Sequence, residues 1–319
     1  MESKRKWGLS STLNSVVERL REFAYASPQP VPRVPITVRP RVGVALGGGF
    51  ARGLAHIGVL KVLVENRIPI DALAGASVGS LVGAGFASGL SPREMMEVAR
   101  KTQWRTFGRW TVSKLGLATN ERMAGWLRST LRSLTFEDLP IPFFVVAADI
   151  STGESVTFRS GDLISPLRAS CSFPGLFVPI AYQGRLLVDG AIVGSVPVNP
   201  LREYKVGLTI GVHLKMSDGP GHAPTNLFQV IGQSFQIAQS RNVADWRDYC
   251  DVVIEPEVSG FDWDDFKCVD ELVEAGERAA SQALPQLRAL VRSRTVIATP
   301  PNSASESVSE SLRQPAQET

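Results

Sequence analysis

Gly75-Ala76-Ser77-Val78-Gly79 has the composition of a strand-to-helix elbow with a serine at its apex. A nucleophilic serine must stand clear of the sheet on a strained turn. Glycines two positions to either side leave room that a side chain would fill. At the start of a helix, the dipole favours negative charge developing on the serine oxygen. The chemistry open to such a residue is acyl transfer through a covalent serine ester. The same five residues also describe a tight turn whose serine merely caps a helix, so other parts of the chain must decide.

A second element, Gly47-Gly48-Gly49-Phe50-Ala51-Arg52-Gly53, lies between an apolar strand and a helical segment. Successive glycines let backbone N–H groups converge on an anion at the helix start. A dinucleotide fingerprint fails here: counted from Gly47 its last glycine is Arg52, and counted from Gly48 its middle glycine is Phe50. A P-loop fits from Gly48 to Gly53 but then needs Lys and Ser or Thr, where Leu54 and Ala55 stand. An oxyanion hole, which needs donors and no lysine, survives.

The base has two candidates. Asp189 emerges from the apolar run Leu186-Leu187-Val188 into Gly190-Ala191. Burial that lifts its pKa above the ordinary carboxylate range lets an aspartate act directly as base. His213 follows it, so the order Ser77…Asp189…His213 also satisfies a hydrolase triad. His56 falls inside the first helix and His222 in the turn around Asp218-Gly219-Pro220-Gly221.

These residues need a scaffold of alternating strands and helices. Apolar runs predict strands at Val42–Leu46, Ala72–Ala76, Phe143–Ala148, Val206–Val212 and Val252–Ile254. Helical spacing predicts helices over Arg52–Asn66, from Ser77, and over Glu121–Ser133, Leu227–Arg247 and Asp264–Leu290. Ser155–Leu187 reads as a hairpin interrupted by a short helix at Ile164–Ser170. Alternation of this kind implies an α/β fold, a mostly parallel sheet with helices on both faces. The chain divides into three: a leader over 1–40, a catalytic domain over 41–295, and a polar tail over 296–319 expected to be disordered. The leader combines an amphipathic helix (Leu9, Leu13, Val16, Val17, Leu20, Phe23) with a linker set by Pro28, Pro30, Pro32, Pro35 and Pro40.

With 319 residues, 44 % of them apolar, the chain has ample material for a core. Lys and Arg outnumber Asp and Glu by only 34 to 31, too little to point to nucleic acid. The three cysteines, Cys171, Cys250 and Cys268, have neither framework nor metal-type spacing and suit a reducing compartment. No secretory signal is visible, and Ala72–Leu90, although uncharged, is too rich in Gly, Ala and Ser for a transmembrane helix. A cytoplasmic location is expected. Between Lys101 and Lys114 the charges are all positive and alternate with Trp104, Phe107 and Trp110, a composition suited to an anionic lipid interface. Residues 1–25 and 101–114 are therefore expected as peripheral membrane contacts, to the inner face; ordinary solvated charges over inward-packed rings are the alternative.

Taken in order, Gly43-Val44-Ala45-Leu46-Gly47-Gly48-Gly49, Ala51-Arg52-Gly53-Leu54-Ala55-His56-Ile57-Gly58, Gly75-Ala76-Ser77-Val78-Gly79 and Val188-Asp189-Gly190-Ala191 resemble the patatin-like phospholipase family. Ala169-Ser170-Cys171-Ser172-Phe173-Pro174-Gly175-Leu176-Phe177 is similar to the segment before that family's catalytic aspartate, and the likeness extends over about Arg41 to Ala280. The resemblance implies a three-layer α/β/α sandwich with a Ser–Asp dyad: Ser77 the nucleophile, Asp189 the base, and Gly47, Gly48 and Gly49 the oxyanion hole. Arg52, Gly53, Gly75, Gly79 and Gly190 complete its motifs. It implies no metal or organic cofactor, and substrates among phospholipids, lysophospholipids or other fatty-acyl esters. A general carboxylesterase for short esters, or a non-catalytic lipid-binding or regulatory protein on the same fold, are the rival readings. Phe50 departs from the small residue usual at its position in the family.

Overall fold

The computed structural model describes residues 16, 18–19, 36–111, 113–214, 223–224, 230–235, 237, 244–262 and 264–298. In chain order the strands are β1 (Ile36–Val38), β2 (Val42–Leu46), β3 (Ala72–Ala76), β4 (Arg109–Trp110), β5 (Gly116–Thr119), β6 (Phe143–Asp149), β7 (Ser155–Phe158), β8 (Gly175–Phe177), β9 (Ile180–Tyr182), β10 (Arg185–Asp189), β11 (Leu208–Val212), β12 (Val252–Ile254) and β13 (Val296–Ala298). The α-helices are α1 (Ala55–Glu65), α2 (Val78–Ala87), α3 (Pro92–Lys101), α4 (Trp104–Phe107), α5 (Glu121–Thr130), α6 (Ile164–Ser170), α7 (Asn199–Glu203), α8 (Ala244–Arg247) and α9 (Val269–Ser293).

The central sheet has the order β12-β11-β2-β3-β6-β10-β9, with β7 also on β6. From β12 to β6 every pairing is parallel; β7, β10 and β9 join antiparallel. The strand residues alternate between two cores. Val42, Val44, Leu46, Leu73, Phe143, Val145, Leu208, Ile210 and Val212 face a large core that includes α1, α2 and α9. Ala45, Ala72, Ala74 and Phe144 face a smaller core with Leu201 of α7 and Trp246 of α8. Bulky side chains thus support the thick layer, and small ones let the short helices lie close to the other face. A period of two along buried strands makes the three-layer α/β/α sandwich.

Glycine sets the closest approach in the thick layer. A Cβ on Gly58 of α1 would lie 1.9 Å from Val273 O, and one on Gly276 of α9 would lie 1.9 Å from Ala55 O. The two backbones therefore touch where α1 and α9 cross.

The feature that positions the chemistry is the use of β6's two edges. β7 pairs with Val145–Ala148 on one edge. On the other edge β3 pairs with Phe143–Val146, running parallel, and β10 pairs with Ala147–Asp149, running antiparallel. The strands β3 and β10 consequently meet end to end, Ala76 beside Val146 and Asp189 beside Ala147. This corrects the expected hairpin over Ser155–Leu187: β7 and β10 do not pair with each other, because β6 stands between them. The turnback falls instead at β9–β10, Arg185 facing Tyr182.

Other departures are local. The helix expected from Arg52 opens as a 3-10 turn over Phe50–Leu54 and becomes α-helical at Ala55. The last long helix spans Val269–Ser293 rather than Asp264–Leu290, since side-chain and backbone turns occupy Asp262 to Cys268. Arg39–Thr295 forms one compact unit; β1 pairs antiparallel with β13 in a separate one. Ile36–Val38 and Val296–Ala298, expected as linker and tail, are therefore paired strands. Most of the expected leader helix, and the tail from residue 299, lie outside the described residues, as do His222 and much of Leu227–Arg247.

Candidate active site

The three predicted elements converge at the C-terminal ends of β2, β3 and β10. Ser77 leaves β3 with φ 53° and ψ −132°, a left-handed conformation strained for any residue with a side chain. Its neighbours hold it there. Ser77 N–H donates to Ser170 Oγ at 2.9 Å, and Ser170 Oγ donates to Val146 O at 2.6 Å. Ser80 N–H and Oγ both donate to Ser77 O, at 2.8 and 2.6 Å. The elbow glycines are required by contact: a Cβ on Gly75 would lie 2.5 Å from Ser80 Cα, and one on Gly79 2.2 Å from Leu46 O.

Asp189 ends β10, its N–H donating to Ser172 O at 3.0 Å. Its carboxylate is 2 % exposed and accepts two bonds: Ser77 Oγ at 2.7 Å on Oδ2 and Ala191 N–H at 2.9 Å on Oδ1. Loss of water pushes its pKa up to about 7, against the lowering effect of those two bonds. Gly190 lets the chain turn away over β6, since a Cβ there would lie 2.0 Å from Val146 O. A serine hydroxyl and a carboxyl tuned near neutrality are thus in direct contact, an arrangement that can serve a nucleophile and a base.

The glycine loop lies against this pair. A Cβ built on Gly48 would sit 2.7 Å from Ala191 Cβ and 3.3 Å from Ser77 Cβ, so only glycine fits. The three glycines are not equivalent as donors. Gly47 N–H donates to Val212 O at 3.1 Å, continuing the β2–β11 ladder, which removes it from the expected anion-binding set. Gly48 N–H makes a long 3.3 Å bond to Ser195 O, and Gly49 N–H has no partner among the described residues. Gly49 N–H and the weakly held Gly48 N–H are thus less committed than Gly47 N–H.

Phe50 follows at φ 53°, the left-handed region that favours glycine, which explains why a small residue suits this position. Its ring packs edge-on against Phe173 at 4.8 Å and lines an apolar cavity of about 80 Å³. Leu81 and Gly85 of α2, Met95 of α3, Phe107 and Trp126 are among the other walls. Val78, the residue after Ser77, is a wall as well.

Arg52 is buried, its Nε without a hydrogen-bond partner among the described residues; desolvation lowers its pKa, opposed by Asp262 and Asp265. Gly53 packs under Val78, whose Cγ1 would be 2.2 Å from a Cβ. The two described histidines, His56 and His213, make their hydrogen bonds away from Ser77 and Asp189. Fully buried His56 is depressed to about 4 by desolvation, hence neutral, and its Nε2–H donates to Gly47 O at 2.8 Å. His213 Nδ1 is hydrogen-bonded to Glu255 at 2.9 Å, a carboxylate it shares with Arg247. The carboxylate of a Ser77…Asp189…His213 triad is therefore engaged by the serine itself. Buried Cys171, 3.9 Å from Ser80 Oγ, has its thiol pKa raised by desolvation and by Asp189 and stays protonated.

Two supporting residues escaped sequence reasoning. Ser170 anchors the elbow, and Asn120 Nδ2 donates to Arg168 O at 2.8 Å and Ser172 Oγ at 3.0 Å, fixing the segment that leads to Asp189. The run Ser170-Cys171-Ser172 was visible, but its partners lie many residues away.

The patatin-like phospholipase family model matches residues 44–202, an interval that contains Ser77, Asp189 and the glycine loop. An uncharacterized NTE family protein of Mycobacterium tuberculosis is 39% identical over 185 residues, covering 57% of this chain and 51% of that protein. A second from the same organism is 31% identical over 279 residues, covering 79% of this chain and 48% of that protein. Lysophospholipase NTE1 of Cryptococcus neoformans var. neoformans is 36% identical over 172 residues, 51% of this chain and 10% of that protein. The chain thus spans about half the length of the mycobacterial relatives it matches. Among solved structures, VipD from Legionella pneumophila aligns with a TM-score of 0.43 at 13% identity, covering 88% of this chain and 74% of that one.

Proposed function

The chain belongs to the patatin-like phospholipase family through residues 44–202, and from that premise we propose that it is a serine lipid acyl hydrolase. Its substrates on this reading are phospholipids, lysophospholipids or related fatty-acyl esters. The observation that carries the reading is the 2.7 Å bond from Ser77 Oγ to a buried Asp189.

Ser77 Oγ attacks the ester carbonyl carbon as its proton passes to Asp189 Oδ2. The carbonyl oxygen becomes an oxyanion, met by the N–H groups of Gly48 and Gly49. Collapse breaks the bond to the alcohol oxygen, which takes the proton back from Asp189 and leaves. Asp189 then accepts a proton from water as that water attacks the acyl-serine. The second collapse releases the fatty acid, and the proton returns to Ser77. Aspartate serves as base because burial brings its pKa to about 7. The apolar cavity beside Phe50 and Val78 suits the acyl chain.

An active-site-directed fluorophosphonate tests the assignment. Labelling is expected on the wild type and lost in Ser77→Ala. Turnover of a phospholipid and lysophospholipid panel is expected to disappear in Ser77→Ala and Asp189→Asn. A folded wild type that takes no label would remove the nucleophile, and with it the enzyme.

A further inference from the structure

The β4–β5 hairpin exposes apolar side chains that a water-facing surface has no use for. Trp110 is 64% exposed, Leu115 59% and Leu117 40%. They are not carried on a loose loop. Arg109 pairs with Thr119 and Trp110 with Ala118, while Thr111 N–H donates to Leu117 O at 3.0 Å and Leu115 N–H to Ser113 Oγ at 3.1 Å. The other edge of β5 is held by β8, Gly116 beside Gly175 and Ala118 beside Phe177. Gly116 and Ala118 are buried, so the alternation along β5 turns Leu117 outward.

Charge accompanies these side chains. Lys101, Arg105, Arg109 and Lys114 are all exposed, and residues 101–120 contain no acid. The acid nearest in sequence, Glu121, reaches Arg109 only at 3.8 Å between two exposed groups, a contact that salt screens. Tryptophan and leucine with interspersed cations match a bilayer interface, where the rings enter the acyl boundary and the cations meet anionic headgroups.

The position is equally informative. Phe107, two residues before Arg109, is a wall of the apolar cavity. β8, which holds β5, begins two residues after Phe173, whose ring contacts Phe50. The exposed hairpin therefore follows one wall residue of the cavity, Phe107, in the chain, and its partner strand follows Phe173, which packs on another, Phe50.

We propose that the β4–β5 hairpin docks this chain on an anionic lipid bilayer, Trp110, Leu115 and Leu117 entering the interface and Lys101, Arg105, Arg109 and Lys114 contacting the headgroups. Its purpose rests on the hydrolase reading, but its measurement does not. The full-length chain carrying Ser77→Ala is sedimented with vesicles of phosphatidylcholine, alone or mixed with phosphatidylserine. Partition is expected to favour the anionic vesicles and to weaken with salt. Trp110→Ser with Leu115→Ser lowers it by about tenfold per side chain. Arg109→Gln with Lys114→Gln lowers it by about fivefold per charge, on anionic vesicles only. With Ser77 intact, both hairpin variants keep the wild-type rate on a soluble short ester, which shows the fold is unharmed. No partition of the parent chain to anionic vesicles, or partition unchanged by both hairpin variants, overturns the proposal. If binding follows the hairpin while soluble esters are not turned over, the hydrolase reading fails and the docking surface stands.

Discussion

Asp189 links activity and stability through one proton, in opposite directions. Its native pKa rises from the ordinary 3.8 to about 7 because the fold strips the carboxylate of water. As general base it works only when ionised, so kcat/KM should rise tenfold per pH unit up to about pH 7, and at pH 5 about 1 % of the plateau should remain. Stability runs the other way. A raised native pKa means the native state holds a proton that the unfolded chain has released. The resulting stabilisation is complete below pH 3.8 and is lost as pH climbs through about 7. A shift of this size corresponds to about 4 kcal/mol. Asp189→Asn removes the titration: one amide oxygen can accept from Ala191 N–H while the amide nitrogen donates to Ser77 Oγ. The variant should lose about 10²–10⁴ in kcat/KM and show a pH-independent profile for whatever activity remains. At pH 8 it should melt higher than the wild type by about 2–4 °C for each kcal/mol recovered. The assays are hydrolysis of a soluble chromogenic ester from pH 5 to 8.5 and thermal unfolding over the same range. A wild-type kcat/KM that is flat from pH 5 to 8 refutes the role of Asp189. So does a variant whose melting temperature falls with pH as steeply as the wild type's.

Two further substitutions probe the supports. Ser170→Ala leaves Ser77 N–H and Val146 O without their shared hydroxyl and should destabilise the fold by about 1–3 kcal/mol in denaturant unfolding. Its kcat should fall more than its KM changes, because the elbow loses its anchor rather than its substrate contacts; an unchanged kcat would mean the elbow holds itself. Phe50→Gly relieves a left-handed φ worth about 1 kcal/mol and opens the cavity beside the glycine loop. The preferred acyl length in a homologous ester series should move upward, and an unmoved optimum would place the acyl route elsewhere.

What could be read from the residues, and what could not, follows range of interaction. The strands Val42–Leu46, Ala72–Ala76 and Val252–Ile254 were delimited to the residue, because short apolar runs between turn signals define them locally. Ser77, Asp189 and the glycine loop were likewise conspicuous, as each breaks an apolar run. The hairpin over Ser155–Leu187 was misread because pairing on β6 depends on which edge each strand takes, and sequence spacing carries no such information. The same limit hid Ser170, whose two hydrogen bonds reach 93 and 24 residues away. It also hid the inequality of the three glycines, since Gly47 N–H is claimed by Val212, across a ladder formed late in the chain. The exposed hairpin was foreseen only as a composition; its rigidity comes from β8.

The end-to-end meeting of β3 and β10 on one edge of β6 accounts for why the proposed dyad has two members. β3 stops beside Val146 and β10 beside Ala147, so consecutive residues of one strand fix the separation of nucleophile and acid. At that spacing the short side chains of serine and aspartate already touch at 2.7 Å, and an imidazole has no gap to occupy. A base with no histidine must find its basicity elsewhere, and burial at the strand junction supplies it by removing water from Asp189. The same burial makes ionised Asp189 unfavourable for the fold, while the elbow adds the strain of Ser77 at φ 53°. The close crossing of α1 and α9 and the bulky alternation over β2, β3, β6 and β11 lie on the face that offsets those costs. The site therefore tolerates its strain because the sheet that creates the strand junction is buried along the whole of β2, β3, β6 and β11.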